Sequence, residues 1–214
     1  MNSFLLRAQT GFFIITLFLL CIFLPVYFLE IVLFCSFLWI LLYEWPKLCH
    51  KNGILWYVTP LYPVAPFVLL LSMLHEAYGK FLILMLIFLV IAFDTGSYVA
   101  GVFFGKHQLC PKISPGKTVE GLLGGFFMLL GFAMCLMYGL SIKNKLLFLL
   151  HTIMIGFSAL FGDLFESFLK RIASLKDSGS ILPGHGGLLD RFDALLGAVV
   201  YLYIVKNSFF TILL

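Results

Sequence analysis

The chain has few charged residues and few cysteines, and each shortage excludes a class of protein. Charged side chains make up only 11% of the 214 residues, whereas hydrophobic residues make up 62% and the mean hydropathy is +1.09. Soluble domains usually contain about 45–50% apolar residues, so this composition indicates a polytopic membrane protein. The five cysteines show no CxxC spacing, which indicates neither a zinc site nor a disulfide framework.

Apolar segments of about 20 residues, the length that crosses a bilayer, can be placed about seven times along the chain. We therefore predict an all-α fold, a polytopic transmembrane helix bundle. A turn near Pro25–Glu30 separates the first two spans. The predicted spans are 10–28, 29–43, 54–74, 81–104, 121–141, 146–162 and 194–214.

Lysine and arginine residues are distributed unevenly between the two sides that these spans define. If the N-terminus is cytoplasmic, ten of the 14 lie inside, in agreement with the positive-inside rule. Both long polar loops, 105–120 and 163–193, then lie on the cytoplasmic face, where we expect them to build one site. The four cations predicted to lie outside are Lys80, Lys143, Lys145 and Lys206.

Two pairs of acidic residues occur in the loop at 163–193. Asp163, Glu166 and Lys170 are spaced i, i+3 and i+7, so a helix would place them on one face. An amphipathic surface helix with ordinary side-chain pairs is the structural alternative. Asp190 and Asp193 form the second pair at the start of the last span, where favourable interaction with a helix N-terminus is the alternative explanation.

The two acidic pairs bracket a glycine-rich turn, Pro-Gly-His-Gly-Gly at 183–187. Mg²⁺ takes oxygen ligands from one or two carboxylates together with substrate phosphates, so this arrangement indicates a site for metal and phosphate. The turn has little side-chain bulk, which would allow its backbone to approach a phosphate. A plain connection between a surface helix and a span is the alternative. The predicted substrate contacts in this turn are Gly184, His185, Gly186 and Gly187.

The loop at 105–120 contains a basic turn with hydroxyl groups. Its residues Ser114, Lys117 and Thr118 precede a span, and such side chains at a helix N-terminus suit an anionic phosphate. Glu120 follows immediately and could pair with Lys117, which is the structural alternative.

Asp94 lies well inside an apolar run. Because an unpaired carboxylate in lipid is costly, we interpret this residue as functional and expect it to face the interior of the bundle. Glu30, Glu44 and Glu76 lie at the ends of predicted spans, where solvation by water explains them.

Four short segments carry a resemblance to a known family. They are 167–171, 176–179, 182–187 and 189–193, with the sequences Ser-Phe-Leu-Lys-Arg, Lys-Asp-Ser-Gly, Leu-Pro-Gly-His-Gly-Gly and Leu-Asp-Arg-Phe-Asp. Together they resemble the signature of phosphatidate cytidylyltransferases, also called CDP-diacylglycerol synthases. The segments 93–98 and 112–118, followed by Glu-Gly at 120–121, look like two further family elements. The first 80 residues match only in being hydrophobic.

The resemblance implies an enzyme, a nucleotidyltransferase that transfers CMP from CTP to phosphatidic acid. Its products would be CDP-diacylglycerol, for phospholipid biosynthesis, and pyrophosphate. It implies a multi-pass protein of the plasma (inner) membrane with its active site facing the cytoplasm, whose partners are the two substrates and membrane lipid, without nucleic acid. Residues 1–80 would supply N-terminal hydrophobic spans and 81–214 the catalytic membrane region of one integral membrane domain. A homodimer is the assembly that we leave open.

The family reaction assigns roles to the charged residues. We predict Asp163 and Asp190 as primary Mg²⁺ ligands, with Glu166 and Asp193 as secondary ligands or orienting groups, and the site leaves room for a second, monovalent cation. The predicted phosphate clamps are Lys117, Lys170, Arg171 and Arg191, and the further predicted substrate-binding residues are Lys176 and Asp94.

Two other functions stay open. A CTP-dependent lipid kinase would have a similar membrane setting and similar loops. An anion transporter would place its charges at mid-membrane. Asp94 is the only acidic residue that lies deep in a predicted span, and this counts against transport.

Overall fold

The computed structural model describes residues 3–182 and 186–213. It is 79% helical, which confirms the predicted all-α class. A small antiparallel hairpin, β1 (Gln108–Cys110) with β2 (Ser114–Thr118), forms part of the loop at 105–120. The α-helices are α1 (Ser3–Phe23), α2 (Val26–Trp39), α3 (Trp45–Lys51), α4 (Leu55–Val58), α5 (Ala65–Leu74), α6 (Gly79–Phe104), α7 (Val119–Gly139), α8 (Lys145–Ile172) and α9 (Leu189–Leu213), and π-helical turns occur at Ile40–Glu44 and Pro60–Val64.

Six helical segments of the described residues are long and apolar enough to cross a membrane, and the chain is an integral membrane protein. The first predicted span, 10–28, overlaps α1, Ser3–Phe23, whose part from Gln9 to Phe23 is apolar. The described residues thus contain six such segments in addition to α1, where about seven spans were predicted. The six are Val26–Lys51, Leu55–Leu74, Gly79–Phe104, Val119–Gly139, Lys145–Ile172 and Leu189–Phe209.

The second span is longer than predicted. We expected a polar break from residue 44, but the helical segment continues without interruption from Val26 to Lys51 through the π-helical turn at Ile40–Glu44. Trp45 after this turn is fully buried, and its indole N–H donates to the Thr59 hydroxyl at 2.8 Å. The helix continues because Glu44 is itself buried inside the protein rather than solvated.

Packing divides the described residues into two compact units. Unit 1 falls within Met1–Leu84 and Leu169–Asp193, and unit 2 falls within Met85–Phe168 and Ala194–Leu214. Helices α8 and α9 each contribute residues to both units. The predicted division into 1–80 and 81–214 concerns function rather than packing, and it stays a prediction.

In unit 1, aromatic contacts fix the beginning of α9. The ring of Phe67, on α5, is fully buried and lies 5.1 Å from that of Phe37 on α2. On α9 the ring of Phe192 lies 5.3 Å from Phe67. These contacts hold the first turn of α9, which carries Asp190, against helices from the N-terminal part of the chain.

In unit 2, small residues allow α6 and α7 to approach closely at the base of the hairpin. A Cβ added to Gly121 would lie 2.8 Å from the Ser97 carbonyl oxygen, and one added to Gly124 would meet the Ala100 side chain. Phe93 and Phe126 complete the contact with a ring separation of 5.3 Å. The hairpin connects these two helices, so their packing determines where its strands begin and end.

Candidate functional site

Unit 2 contains an ion pair between two of the predicted site residues. Lys117, on β2, pairs through its Nζ with Asp163 Oδ2 on α8, and their side chains are 24% and 25% exposed. The Ser167 hydroxyl, one turn along α8, donates to Asp163 Oδ1 at 3.4 Å. Lys117 therefore pairs with Asp163 and not with Glu120, the alternative partner that the sequence suggested. A predicted phosphate clamp lies against a predicted metal ligand.

The hairpin that carries Lys117 is anchored at its base by short-range hydrogen bonds. Thr118 caps α7, because its hydroxyl accepts from the Gly121 backbone N–H at 3.0 Å. Glu120 accepts from the backbone N–H groups of Lys106 and His107 at 3.0 and 3.1 Å, and it also contacts the His107 imidazole. These bonds connect the two ends of the loop. The hydroxyl of Thr118, which we predicted to bind substrate, is thus also a helix cap.

Unit 1 contains a second lysine–aspartate pair, and this one is more deeply buried. Lys170 Nζ donates to Asp190 Oδ1 at 2.8 Å, and the two side chains are 11% and 7% exposed. Asp190 also accepts from the backbone N–H of Gly187 at 2.8 Å and from that of Ser178, which lies 3.2 Å from both carboxylate oxygens. Asp190 therefore holds the segment that precedes α9.

Glu44 is a residue of this arrangement that sequence reasoning missed. It is 1% exposed, so the prediction that water solvates it is wrong. Its Oε1 accepts from the Leu188 backbone N–H at 2.8 Å, and its Oε2 accepts from the Leu189 N–H at 2.8 Å and the Ser178 hydroxyl at 3.0 Å. These partners lie 134 to 145 positions away in the sequence. No local pattern around Glu44 could have indicated them.

The glycine-rich turn falls partly outside the described residues, because Pro183, Gly184 and His185 are not among them. Gly186 has a φ of +82°, a left-handed conformation that favours glycine. The Gly187 N–H donates to Asp190, and a Cβ on Gly187 would meet the Ser178 hydroxyl and lie 2.8 Å from Glu44 Oε2. In the structure these two glycines make room for carboxylates, and their predicted contact with substrate stays a prediction.

The other predicted residues differ in exposure. Glu166 is fully buried on α8, and Asp193 is half-buried on α9. Arg171 is exposed, and its guanidinium donates to the Leu175 carbonyl at 3.2 Å. The remaining predicted contacts on described residues are Ser114, half-buried on β2, and Lys176 and Arg191, both exposed.

The expected orientation of Asp94 is wrong, because this residue is exposed at the surface of α6. The face of α6 that packs against α7 contains Phe93 and Gly96, both buried. Asp94 follows Phe93 by one position, and successive helical residues are rotated by about 100°, so Asp94 lies at the edge of that face.

The donor chemistry of the aspartates agrees with a hard cation. Among the residues that the structure describes, no group of three or more His, Cys, Asp or Glu side chains gathers into a metal-binding cluster. Mg²⁺ sites often use one or two protein carboxylates, with water and substrate phosphates completing the shell. Both oxygens of Asp163 and both of Asp190 contact donors of the protein, and the Asp163 side chain is the more exposed of the two, at 25% against 7%. The predicted magnesium ligands stay a prediction.

Comparison with known proteins identifies the family. The model of the cytidylyltransferase family matches residues 2–209. The chain belongs to the cytidylyltransferase family. This membership confirms the resemblance that the sequence segments indicated.

Individual relatives match over shorter stretches of the chain. A protein named phosphatidate cytidylyltransferase from Staphylococcus aureus is 46% identical over 104 residues, which cover 48% of this chain and 40% of the relative. One of the same name from Haemophilus influenzae is 40% identical over 133 residues, covering 59% and 46%. The uncharacterized protein YnbB of Escherichia coli is 39% identical over 143 residues, covering 66% and 48%. The chain thus spans less than half the length of these curated relatives.

Proposed function

We propose that this member of the cytidylyltransferase family transfers CMP from CTP to phosphatidic acid and so forms CDP-diacylglycerol and pyrophosphate. The names of the S. aureus and H. influenzae relatives support this substrate pair. The observation that carries the proposal is the pairing of two lysines with two aspartates, Lys117 with Asp163 and Lys170 with Asp190. Cations held in place by carboxylates are suited to anionic phosphates.

The chemistry makes a limited demand on the protein. A phosphate oxygen of phosphatidic acid forms a bond to the α-phosphorus of CTP, and the bond from that phosphorus to the bridging oxygen of the β-phosphate breaks. The electron pair of the broken bond leaves with pyrophosphate. Since the lipid phosphate is already anionic at neutral pH, the attack needs no strong general base. The protein must bring two anions together in line and neutralise the charge that develops.

The charged residues can meet this demand. We propose that Lys117, held by Asp163, and Lys170, held by Asp190, each neutralise substrate phosphate, and that the exposed guanidinium groups of Arg171 and Arg191 contribute further positive charge. Bound Mg²⁺, with a second, monovalent cation as its companion, would supply additional charge neutralisation. The proposed ligands are Asp163 with support from Glu166 in unit 2, and Asp190 with support from Asp193 in unit 1.

The setting in the membrane is part of the proposal. We place the chain in the plasma membrane with the loops at 105–120 and 163–193 on the cytoplasmic face, because most of its lysines and arginines fall on that side of the predicted spans. Phosphatidic acid then enters from the surrounding lipid, while CTP enters from water. A homodimer is compatible with this scheme, although the reaction as written needs no second copy.

An assay with labelled CTP tests the proposed function. The chain in detergent is mixed with phosphatidic acid, Mg²⁺ and CTP that carries the label on either the α- or the γ-phosphorus. We expect the α-label in a CDP-diacylglycerol product and the γ-label in pyrophosphate. The γ-label in the lipid, with none from the α position, would establish a lipid kinase instead. Transport of CTP into vesicles with no labelled lipid would establish a transporter.

A further inference from the structure

We propose that Glu44 is a positioning residue for the transfer reaction, which holds the segment before α9 at Ser178, Leu188 and Leu189 so that Asp190 and Lys170 keep their geometry. For its effect on turnover, this role rests on the proposed function. Glu44 belongs to the N-terminal part of the chain, whereas the segment it binds belongs to the family signature. The inference therefore gives the otherwise unassigned N-terminal helices a part in the reaction.

The first support is the geometry of the Glu44 carboxylate. Its two oxygens accept from the backbone N–H groups of Leu188, the residue before α9, and Leu189, its first residue, each at 2.8 Å. Backbone N–H groups at a helix N-terminus have no partner within the helix and favour a negative charge. Hydrogen bonds to a charged acceptor are about twice as strong as neutral ones, so Glu44 fixes where α9 begins.

The second support is that Glu44 and Asp190 bind the same segment. Ser178 donates its hydroxyl to Glu44 Oε2 at 3.0 Å and its backbone N–H to Asp190. Farther along, Gly187 donates its N–H to Asp190, and the next residue, Leu188, donates to Glu44. A shift of the segment away from Glu44 would therefore move the donors that orient Asp190, and with them the acceptor of Lys170.

The third support is the space around the Glu44 side chain. A Cβ added to Gly179 would lie 2.7 Å from Glu44 Oε1 and 2.9 Å from its Cδ. The three atoms nearest to that Cβ all belong to Glu44. Position 179 therefore has no room for a larger residue chiefly because Glu44 occupies the site, which couples the two positions.

A carboxylate is the group that these donors require. Three donors meet the two oxygens of Glu44. A glutamine would present one accepting oxygen and one donating NH₂ group, so an N–H would face another N–H. Glu44→Gln therefore keeps the size of the side chain while it removes an acceptor, and it is the sharpest single variant.

Hydrogen exchange of the full chain in detergent tests whether Glu44 holds the segment, independently of any activity. We expect Glu44→Gln to accelerate exchange of the Leu188 and Leu189 amides about tenfold or more, because loss of a charge-assisted bond costs about 1.5–3 kcal/mol. The hairpin at 108–118 should exchange as in the wild type. The matched control is Glu30→Gln, since Glu30 is partly exposed and pairs with His75 at 3.4 Å. Unchanged exchange in Glu44→Gln would overturn the proposal.

Kinetics separate positioning from a purely structural role. We expect Glu44→Gln to lower kcat about tenfold or more per folded molecule, with a smaller change in the KM for CTP and with wild-type kcat in Glu30→Gln. Faster exchange with a wild-type kcat would make Glu44 a structural cap only and would overturn the positioning role. A wild-type chain that transfers no CMP would overturn the proposed function and the positioning role with it, while the exchange result would still show whether Glu44 holds the segment.

A double variant tests the geometry at Gly179. Gly179→Ala alone should lower kcat strongly, because the added methyl group displaces the Glu44 carboxylate. Glu44→Asp shortens the side chain by one methylene, so in the presence of Gly179→Ala it should raise kcat about threefold or more over Gly179→Ala alone. If the kcat of the double variant showed only the product of the two single losses, positions 44 and 179 would not be coupled, and the inference depends on that coupling.

Discussion

The Lys117–Asp163 pair and the Lys170–Asp190 pair are the same chemically but differ in burial. The side chains of the first are about a quarter exposed, at 24% and 25%, whereas those of the second are 11% and 7% exposed. Asp163 accepts otherwise from a hydroxyl on its own helix, whereas Asp190 binds backbone groups of the segment before α9. Partly exposed pairs contribute little to stability, and buried ones are costly to break. The second pair should therefore matter for folding as well as for catalysis.

Each of the two loops is anchored by a glutamate that accepts from two consecutive backbone N–H groups, but the two glutamates differ in how far along the sequence they lie from these groups. Glu120 accepts from the consecutive backbone N–H groups of Lys106 and His107, 14 and 13 positions away. Glu44 does the same for Leu188 and Leu189 from more than 140 positions away. The hairpin at 105–120 is thus held by its own neighbours, whereas the segment before α9 depends on the N-terminal helices of unit 1.

The largest expected effect is the difference in stability between the variants Asp190→Asn and Asp163→Asn. Both should remove nearly all CMP transfer, since each removes a carboxylate that holds a lysine proposed to bind phosphate. Asp190→Asn should also lower the free energy of unfolding by about 3–5 kcal/mol, because it leaves the Lys170 ammonium without the charge that it faces. Asp163→Asn should change it by less than about 1 kcal/mol. Thermal unfolding in detergent, together with the labelled-CTP assay, measures both effects.

Asp177→Asn is the control for this comparison, since Asp177 is exposed beside the same segment. It should leave both stability and transfer near the wild-type values. Equal losses of stability in Asp163→Asn and Asp190→Asn would show that burial does not distinguish the two pairs.

The next effect in size concerns Lys117. Lys117→Ala should lower kcat/KM for CTP about 100-fold, because it removes the group that we propose neutralises charge in the transition state. Stability should change by less than about 1 kcal/mol, since the ion pair is partly exposed. Lys112→Ala removes an exposed lysine from the same loop and should have little effect on either quantity.

A charge reversal distinguishes catalysis by Lys117 from simple pairing. Lys117→Asp combined with Asp163→Lys restores an ion pair but places the cation on the other element. Recovery of wild-type turnover in this double variant would mean that the pair serves only the fold.

The sequence predicted the helical class, most spans and the residues of both ion pairs, because hydrophobic segments and family motifs are local patterns. It did not predict which residues pair. Lys117 has an acid three positions away in Glu120, yet it binds Asp163, because Glu120 is engaged by the backbone at the start of the loop. A choice between two acids depends on tertiary positions that spacing alone does not contain.

The sequence also did not predict which acidic residues are buried. Glu44 and Asp94 were assigned opposite environments to those the structure shows, since Glu44 is buried and Asp94 is exposed. Hydropathy places a residue along a span but does not determine which face of the helix it occupies. Glu44 is buried because distant N–H groups satisfy its oxygens, and a single sequence carries no sign of that contact.

The smallest expected effect is the difference in stability between alanine substitutions at one glycine of each loop. Gly186, with a φ of +82°, lies next to Asp190, and an added Cβ would approach Asp190 Oδ2 to 2.8 Å. Gly116, on β2, has no atom within 4 Å of an added Cβ. Alanine in the left-handed region costs about 1–2 kcal/mol, so Gly186→Ala should lower the free energy of unfolding by that amount and reduce kcat by disturbing Asp190. Gly116→Ala should change stability by no more than about 0.5 kcal/mol in either direction. Thermal unfolding of the two variants side by side measures the difference. If Gly116→Ala proved as destabilising as Gly186→Ala, the contrast between a locally anchored hairpin and a segment held by buried carboxylates would be wrong.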